Sequence, residues 1–303
     1  MSTAAALSLN DVPVADTFAE AFPVVGTRLI ITAATLNLAQ IAATEMSGYA
    51  SSVIACDAEV DVEREWEPSE TPDGRPGVSV MMFGFSAKGL QKAAAARVGQ
   101  CVLTCATTAC FNGVPITDGT KRIRVGGQIR FFGDGFQISK TLANRRLWRI
   151  PVMDGEFICE DQFGTFKGVG GGNILIAGNT RDAALTATIN AVQAMRNAGD
   201  VALPFPGGFV RSGSKVGSQY KALKASTNEK WCPTLRSQTT TELPDDAEAV
   251  YEIVVDGTSF ETVQNALRAG VQTATQTDGI VLISAGNYGG KLGKHHFYLR
   301  DLI

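Results

Sequence analysis

Four times along the chain an apolar, β-branched run gives way to a helix-forming stretch, and a second apolar run follows. The spacing between the paired runs is about 30 residues, the size of a βαβ unit. The first copy runs Arg28–Thr32, Leu36–Glu45 and Ser52–Ala55, and the second runs Val78–Phe83, Lys88–Val98 and Cys101–Thr104. The third is Asn173–Ala177, Asp182–Met195 and Asp200–Pro204, and the fourth is Val250–Val255, Phe260–Ala274 and Gly279–Ser284. Asn179-Thr180 offers a cap to the third helix, whose Ala183, Leu185, Ile189 and Val192 make an apolar stripe. The fourth opens after Asp256-Gly257-Thr258, with Val263, Leu267 and Val271 at helical spacing.

Two such units in series make the split βαββαβ arrangement of a ferredoxin-like sheet, antiparallel with helices on one face. The expected class is therefore α+β: two ferredoxin-like (split βαβ) lobes, internally duplicated, at residues 1–160 and 161–303. A doubly wound parallel sheet is the competing reading. The wide separation between the two pairs of units favours the duplicated lobes.

The bulk properties narrow the function classes. A length of 303 residues suits two ordinary domains, and a net charge of −3 gives no general reason to expect nucleic acid. No apolar run approaches the roughly 20 residues that span a bilayer. Met1–Asn10 has no basic start of the kind that opens a secretory signal, so a cytoplasmic protein is expected. The six cysteines, at 56, 101, 105, 110, 159 and 232, form no CxxC pair, and His295 and His296 are the only histidines. Free thiols are expected, with no intrinsic metal site.

Charge is unevenly spread. Asp57, Glu59, Asp61, Glu63, Glu65 and Glu67 occupy alternate positions, so an extended segment would project all six to one face. Lys121–Arg149 holds eight basic residues against Asp134, and Arg211–Arg236 holds six against Glu229. Solvated faces account for such runs; so would an anionic substrate or a neighbouring subunit's acidic strip.

Two glycine-rich segments imitate nucleotide motifs without meeting them. Gly168–Gly172 precedes a strand instead of following one, and in Gly208–Lys215 a serine stands between the last glycine and the lysine. The loop is informative all the same. Gly207, Gly208, Ser212, Ser214, Lys215 and Ser218 gather backbone amides, hydroxyls and an ammonium, the donors that hold a carboxylate, phosphate or polar heterocycle. A plain Pro-Gly turn is the alternative. Gly286–Lys294, with Asn287 and Tyr288, and Thr71–Gly77, with Pro72, Asp73 and Arg75, are two further loops of the same kind.

No histidine is placed to activate a serine or cysteine, and Gly-x-Ser-x-Gly is absent. Cys101, Cys105 and Cys110 read as packed thiols. One acid stands out: alternation puts Glu252, in Val250–Val255, on the face shared by Val250 and Val254. Buried there, it would have a raised pKa and could donate a proton near neutrality. On an exposed edge it would pair with a lysine instead.

Ten segments together resemble one family. They are DTFAEAFP (16–23), TPDGRPG (71–77), GQCVLTC (99–105), FFGDG (131–135) and PFPGG (204–208). The others are SGSKVGS (212–218), LKASTNE (223–229), CPTLR (232–236), VYEIV (250–254) and ISAGNYGGKLGK (283–294). They resemble the formylmethanofuran–tetrahydromethanopterin formyltransferases and spread over residues 16–302; 1–10, 112–124, 137–147 and 237–248 carry none of the likeness.

The resemblance implies transfer of a formyl group between N5 of a tetrahydromethanopterin-type carrier and the amine of a methanofuran- or methylofuran-type carrier, with no prosthetic group. It implies a homo-oligomer with substrates bound between subunits, and it places the family's acidic catalytic residue on Glu252. Lys224 and Thr227, in the LKASTNE segment, join the substrate-binding candidates. An Ala-rich, weakly acidic composition suits the bacterial methylotroph branch, whose members work in a formyltransferase/hydrolase complex during formaldehyde oxidation. Two other readings stay open: ping-pong transfer through a formyl-cysteine, and a non-catalytic pterin-binding scaffold subunit.

Overall fold

A computed structural model describes residues 7–303; the start of the chain, on which part of the signal-peptide reading rests, lies outside the described residues. The chain divides into two compact units. One, inner in sequence, is Val24–Gly168; the other, outer in sequence, joins the residues up to Pro23 with Val169–Ile303. The expected division at 160/161 lacks the first of these crossings: the segment up to Pro23 belongs with the C-terminal unit. The chain passes between units inside two long strands, at Pro23 and at Gly168, the second beside a bulge between Val169 and Gly172.

In the inner unit the strands are β1 (Phe18–Thr32, from Val24 onward), β2 (Glu59–Trp66), β3 (Gly77–Gly84) and β4 (Ala109–Asn112), with helices α1 (Leu36–Ser47) and α2 (Ala87–Arg97). The order across the sheet is β4-β1-β3-β2, and every neighbouring pair is antiparallel. Leu29, Ile31, Val78, Val80 and Met82 alternate onto the face that packs against Ala39, Ala43, Leu90 and Ala94 of the helices. A three-stranded antiparallel meander appends β5 (Ile138–Leu142), β6 (Arg145–Val152) and β7 (Gly155–Glu160), and β7 runs parallel to β4.

Two expected strands are misplaced here. Ser52–Ala55 is a turn, and the second strand is the charged Glu59–Trp66, whose Val60 and Val62 supply its apolar face. Cys101–Thr104 prolongs α2 through a wider turn, with Leu103 N–H reaching Val98 O at 2.9 Å, and the strand begins at Ala109. The alternating acids do not share one face either. A bulge between Val62 and Arg64 shifts the register, and Glu63 meets Arg28 and Ser79. Part of the basic stretch is matched locally: Arg145 pairs with Glu160, and Arg149 lies 2.6 Å from Glu156.

The outer unit holds β8 (Phe166–Gly178, from Val169 onward), α3 (Arg181–Asn197), β9 (Val201–Ala202), β10 (Ala249–Gly257), α4 (Phe260–Ala274), β11 (Ile280–Ser284) and β12 (His295–Tyr298). Its order is β11-β8-β10-β9, again antiparallel throughout. The doubly wound parallel alternative is excluded by these pairings. Thr180 and Ser259 cap the two helices by accepting from Ala183 and Thr262 N–H. Ile174, Ile176, Ile253 and Val255 face the helices, where Ala187, Ala191, Leu267 and Val271 cover them. Alternation then sends Asn173, Leu175 and Glu252 to the opposite face. The first strand's end, Phe18–Ala21, pairs with β12 in this unit.

Candidate active site

Glu252 and Asn173 are diagonal neighbours on one face, since Leu175 stands opposite Glu252 and Asn173 opposite Val254. Glu252 is only 3% exposed. The long segment between β9 and β10 returns to this strand, where Val210 and Glu252 exchange backbone hydrogen bonds of 2.7 and 3.0 Å. From there the chain turns at Gly213, with φ of +77°; a Cβ on it would lie 2.8 Å from Asn228 N, so only glycine fits. That turn delivers Ser214.

The carboxyl is held asymmetrically. Oε1 accepts Ser214 Oγ–H at 2.7 Å and Asn173 Nδ2–H at 2.7 Å, while the buried Oε2 has no hydrogen-bond partner among the described residues. Burial pushes the carboxyl pKa up, and the two hydrogen bonds oppose that only in part. The cradle suits a protonated carboxyl: Oε1 is placed as the accepting, carbonyl-type oxygen, and a proton on Oε2 would have no protein acceptor among the described residues. Such a group can donate to a developing oxyanion or a leaving nitrogen. The exposed-edge alternative for Glu252 is overturned by its burial.

The glycine loop after β11 lies against the same group. Gly286 N–H donates to Asn173 Oδ1 at 2.9 Å, and Tyr288 Oη stands 3.5 Å from Ser214 O. Burial and the nearby carboxyls of Glu252 and Glu20 raise the Tyr288 phenol pKa, so it stays a donor. Asn287 turns away, donating to Thr17 Oγ1 and Phe18 O at 3.1 Å each.

Apart from Ser214, the sequence candidates are not among the hydrogen-bond partners described for the Glu252 carboxyl. Gly207 and Gly208 form a tight turn with φ of +73° and +92°. Ser212 is exposed and donates to Gly213 O. Lys215 Nζ is 2.5 Å from a carboxylate oxygen of Glu229, so its charge is already matched. Lys224 is exposed, and Thr227 Oγ1 lies 3.3 Å from Cys232 Sγ. Pro72, Asp73 and Arg75 belong to the inner unit. There Arg75 bridges Asp73 at 2.8 Å, and Asp73 accepts Thr32 Oγ1–H at 2.8 Å.

The sequence reading missed two residues, Asn173 and Glu20. Each is a polar side chain with non-polar neighbours on both sides in its strand, the same local signal that singled out Glu252. The six cysteines are free, and burial raises the thiol pKa of Cys101, Cys105 and Cys159, which leaves them poor nucleophiles. Among the described residues no cluster of three His, Cys, Asp or Glu could hold a metal, and no helix is long and apolar enough to cross a membrane.

Comparison with known proteins bears on this arrangement. The model of the formylmethanofuran–tetrahydromethanopterin formyltransferase family matches residues 7–152, and that of its proximal lobe matches 155–302. The formylmethanofuran–tetrahydromethanopterin formyltransferase of Methylococcus capsulatus is 53% identical, over 97% of this chain and 99% of its own. In the crystal structure of the formyltransferase/hydrolase complex of Methylorubrum extorquens with methylofuran, one chain is 49% identical. It superposes with a TM-score of 0.94 over 98% of this chain and 99% of that one. The enzyme of Methanosarcina barkeri is 46% identical with a TM-score of 0.91, over 98% of this chain and 100% of that one. With family models matching along nearly its whole length, this chain belongs to the formylmethanofuran–tetrahydromethanopterin formyltransferase family.

Proposed function

We propose that the protein moves a formyl group between N5 of a tetrahydromethanopterin-type carrier and the amine of a methanofuran- or methylofuran-type carrier, with Glu252 as the acid. The carrying observation is the buried carboxyl whose Oε1 is doubly hydrogen bonded and whose Oε2 is free to hold a proton. Transfer is direct, in a ternary complex. The free amine of one carrier attacks the formamide carbon of the other, forming a C–N bond as the carbonyl electrons move to oxygen. The Glu252 proton stabilises that oxyanion by hydrogen bonding. It then passes to the leaving nitrogen as the old C–N bond breaks and the carbonyl re-forms. The resulting carboxylate takes a proton from the newly acylated nitrogen, so the enzyme ends as it began. Amides resist attack, and the remaining contribution is juxtaposition of the two carriers.

Direct transfer is favoured over a formyl-cysteine because burial raises the thiol pKa of Cys101, Cys105 and Cys159, and no cysteine is among the hydrogen-bond partners described for Glu252. Carrier binding draws on the exposed Lys224 and on the segments around Gly207, Gly208, Ser212 and Thr227. Pro72, Asp73 and Arg75 serve a carrier from the inner unit.

The two units are read as copies of one ferredoxin-like lobe. Their strand orders correspond, and Ile30 opposite Ser79 matches Leu175 opposite Glu252. Ser79 and Glu252 each stand seven residues before the cap of the following helix, 79 to 86 and 252 to 259. In the inner unit the corresponding place holds Ser79, whose Oγ donates to Glu63, and Glu63 also accepts from Arg28 Nε, at 2.7 Å each. That carboxylate is paired with the Arg28 guanidinium, whereas Glu252 has only neutral donors.

The protein works as a cytoplasmic homo-oligomer with hydrolase and accessory subunits of a formyltransferase/hydrolase complex, in one-carbon metabolism. The test is an assay of the purified chain with both carriers. Transfer that needs both carriers supports the proposal; a chain that binds the pterin without transfer is a scaffold, and exchange with a single carrier indicates a formyl-enzyme.

A further inference from the structure

Glu20 is a carboxylate inside an apolar strand, 2% exposed, and the mechanism above makes no use of it. Its two oxygens collect four backbone N–H groups from one loop. Oε2 accepts Tyr288 N–H at 2.7 Å and Gly290 N–H at 2.9 Å; Oε1 accepts Leu292 N–H at 2.6 Å and Gly293 N–H. Those bonds lower its pKa against the opposing effect of burial, so the group is ionised. Amides converging in this way form an anion-binding nest. Here the anion is part of the protein. These four amides are therefore committed, and they are not the oxyanion donors that the glycine content suggests.

What the loop offers to the acid instead is a side chain. Tyr288 follows Asn287, which is tied to Thr17 and Phe18, and its own N–H is held by Glu20. Its ring lies 6.3 Å from that of Phe22, and its hydroxyl reaches the main chain at Ser214, whose side chain donates to Glu252. Gly286 at the start of the loop is bonded to Asn173, the other donor to Glu252. One strand of the outer unit thus fixes the loop through Glu20, and the loop places a phenol beside the acid.

We propose that Glu20 is a positioning residue for formyl transfer: by binding the amides of residues 288–293 it sets the Tyr288 hydroxyl next to the Ser214–Glu252 pair, where it donates to the reacting carrier. This rests on the proposed transferase reading.

The test combines Glu20→Gln, Tyr288→Phe and the double variant, each compared with wild type for kcat and for KM of both carriers. In Glu20→Gln one oxygen becomes an NH2 group facing two N–H donors, so the loop must move. A kcat loss of about tenfold or more is expected in each single variant, the scale that misplacement of an active-site group produces. KM should change much less, and the double variant should be no slower than the slower single. Losses that multiply in the double variant, or an unchanged kcat in Glu20→Gln, would overturn the proposal.

A second readout does not depend on activity. Glu20→Asp keeps the charge but withdraws it by one methylene, and Tyr288 can be followed by its phenolate absorbance, identified by its loss in Tyr288→Phe. The phenol pKa should fall toward its ordinary value in Glu20→Asp as the loop loosens; an unmoved titration would overturn the proposal. A wild-type chain without transferase activity would instead overturn the function reading, and the titration would still decide this one.

Discussion

Asn173 joins two parts of the site with one side chain: Nδ2 donates to Glu252 Oε1 at 2.7 Å, and Oδ1 accepts Gly286 N–H at 2.9 Å. The amide both restrains the acid and anchors the loop that carries Tyr288. Its two ends have opposite polarity, so no other residue of similar size, aspartate included, can satisfy both partners.

Asn173→Ala should therefore act on both. Two buried hydrogen bonds are lost, at a cost of about 1–3 kcal/mol in stability. Removing a donor to Glu252 also removes an effect that lowers its pKa. The alkaline limb of the pH–rate profile, where the acid form is lost, should move to higher pH. Urea unfolding and a kcat profile against pH check the two halves separately.

Gly213→Ala should impair the enzyme without touching any reacting group. The substituent would be strained at φ of +77° and would press on Asn228, at a cost of roughly 1–3 kcal/mol. If the turn relaxes instead, Ser214 leaves Glu252 and kcat falls. Thermal unfolding together with kcat distinguishes strain from displacement.

Two buried carboxyls should impose opposite pH dependences on stability. Glu252 has a raised pKa in the fold, so its contribution is complete below the unfolded value of about 4.3 and is lost as pH rises through the folded value. Glu252→Gln cannot ionise, and its Tm should gain on wild type as pH rises. Glu20 has a lowered pKa, so its contribution is present above about 4.3 and is lost as pH falls through the folded value. The Tm deficit of Glu20→Gln should accordingly shrink in acid. Calorimetry of the three proteins across the pH range measures both trends.

The sequence carried the site's acid because alternation in Val250–Val255 is local information. Asn173 and Glu20 carry the same local signal, but their roles depend on which strand and loop lie opposite, and these are 79 residues away for Asn173 and 268 or more for Glu20. The outer-unit strands around Asn173–Ala177, Val250–Val255 and Gly279–Ser284 were legible from their mostly apolar runs, whereas His295–Tyr298 was not expected. In the inner unit the apolar Ser52–Ala55 and Cys101–Thr104 competed with the true strands. Glu59–Trp66 hides its apolar face among acids, and Ala109–Asn112 is only four residues long. The return of the residues up to Pro23 to the C-terminal unit has no local signature at all, since it is fixed by pairing with His295–Tyr298.

The most direct measurement is the single-turnover rate of formyl transfer in Glu252→Gln with both carriers saturating. Glutamine keeps the acceptor for Ser214 and Asn173 and removes only the acidic proton. A fall of about 10²-fold or more, with carrier affinities nearly unchanged, is the result expected when a general acid is lost. A rate equal to wild type in the folded variant would contradict the assignment of Glu252 to the chemistry.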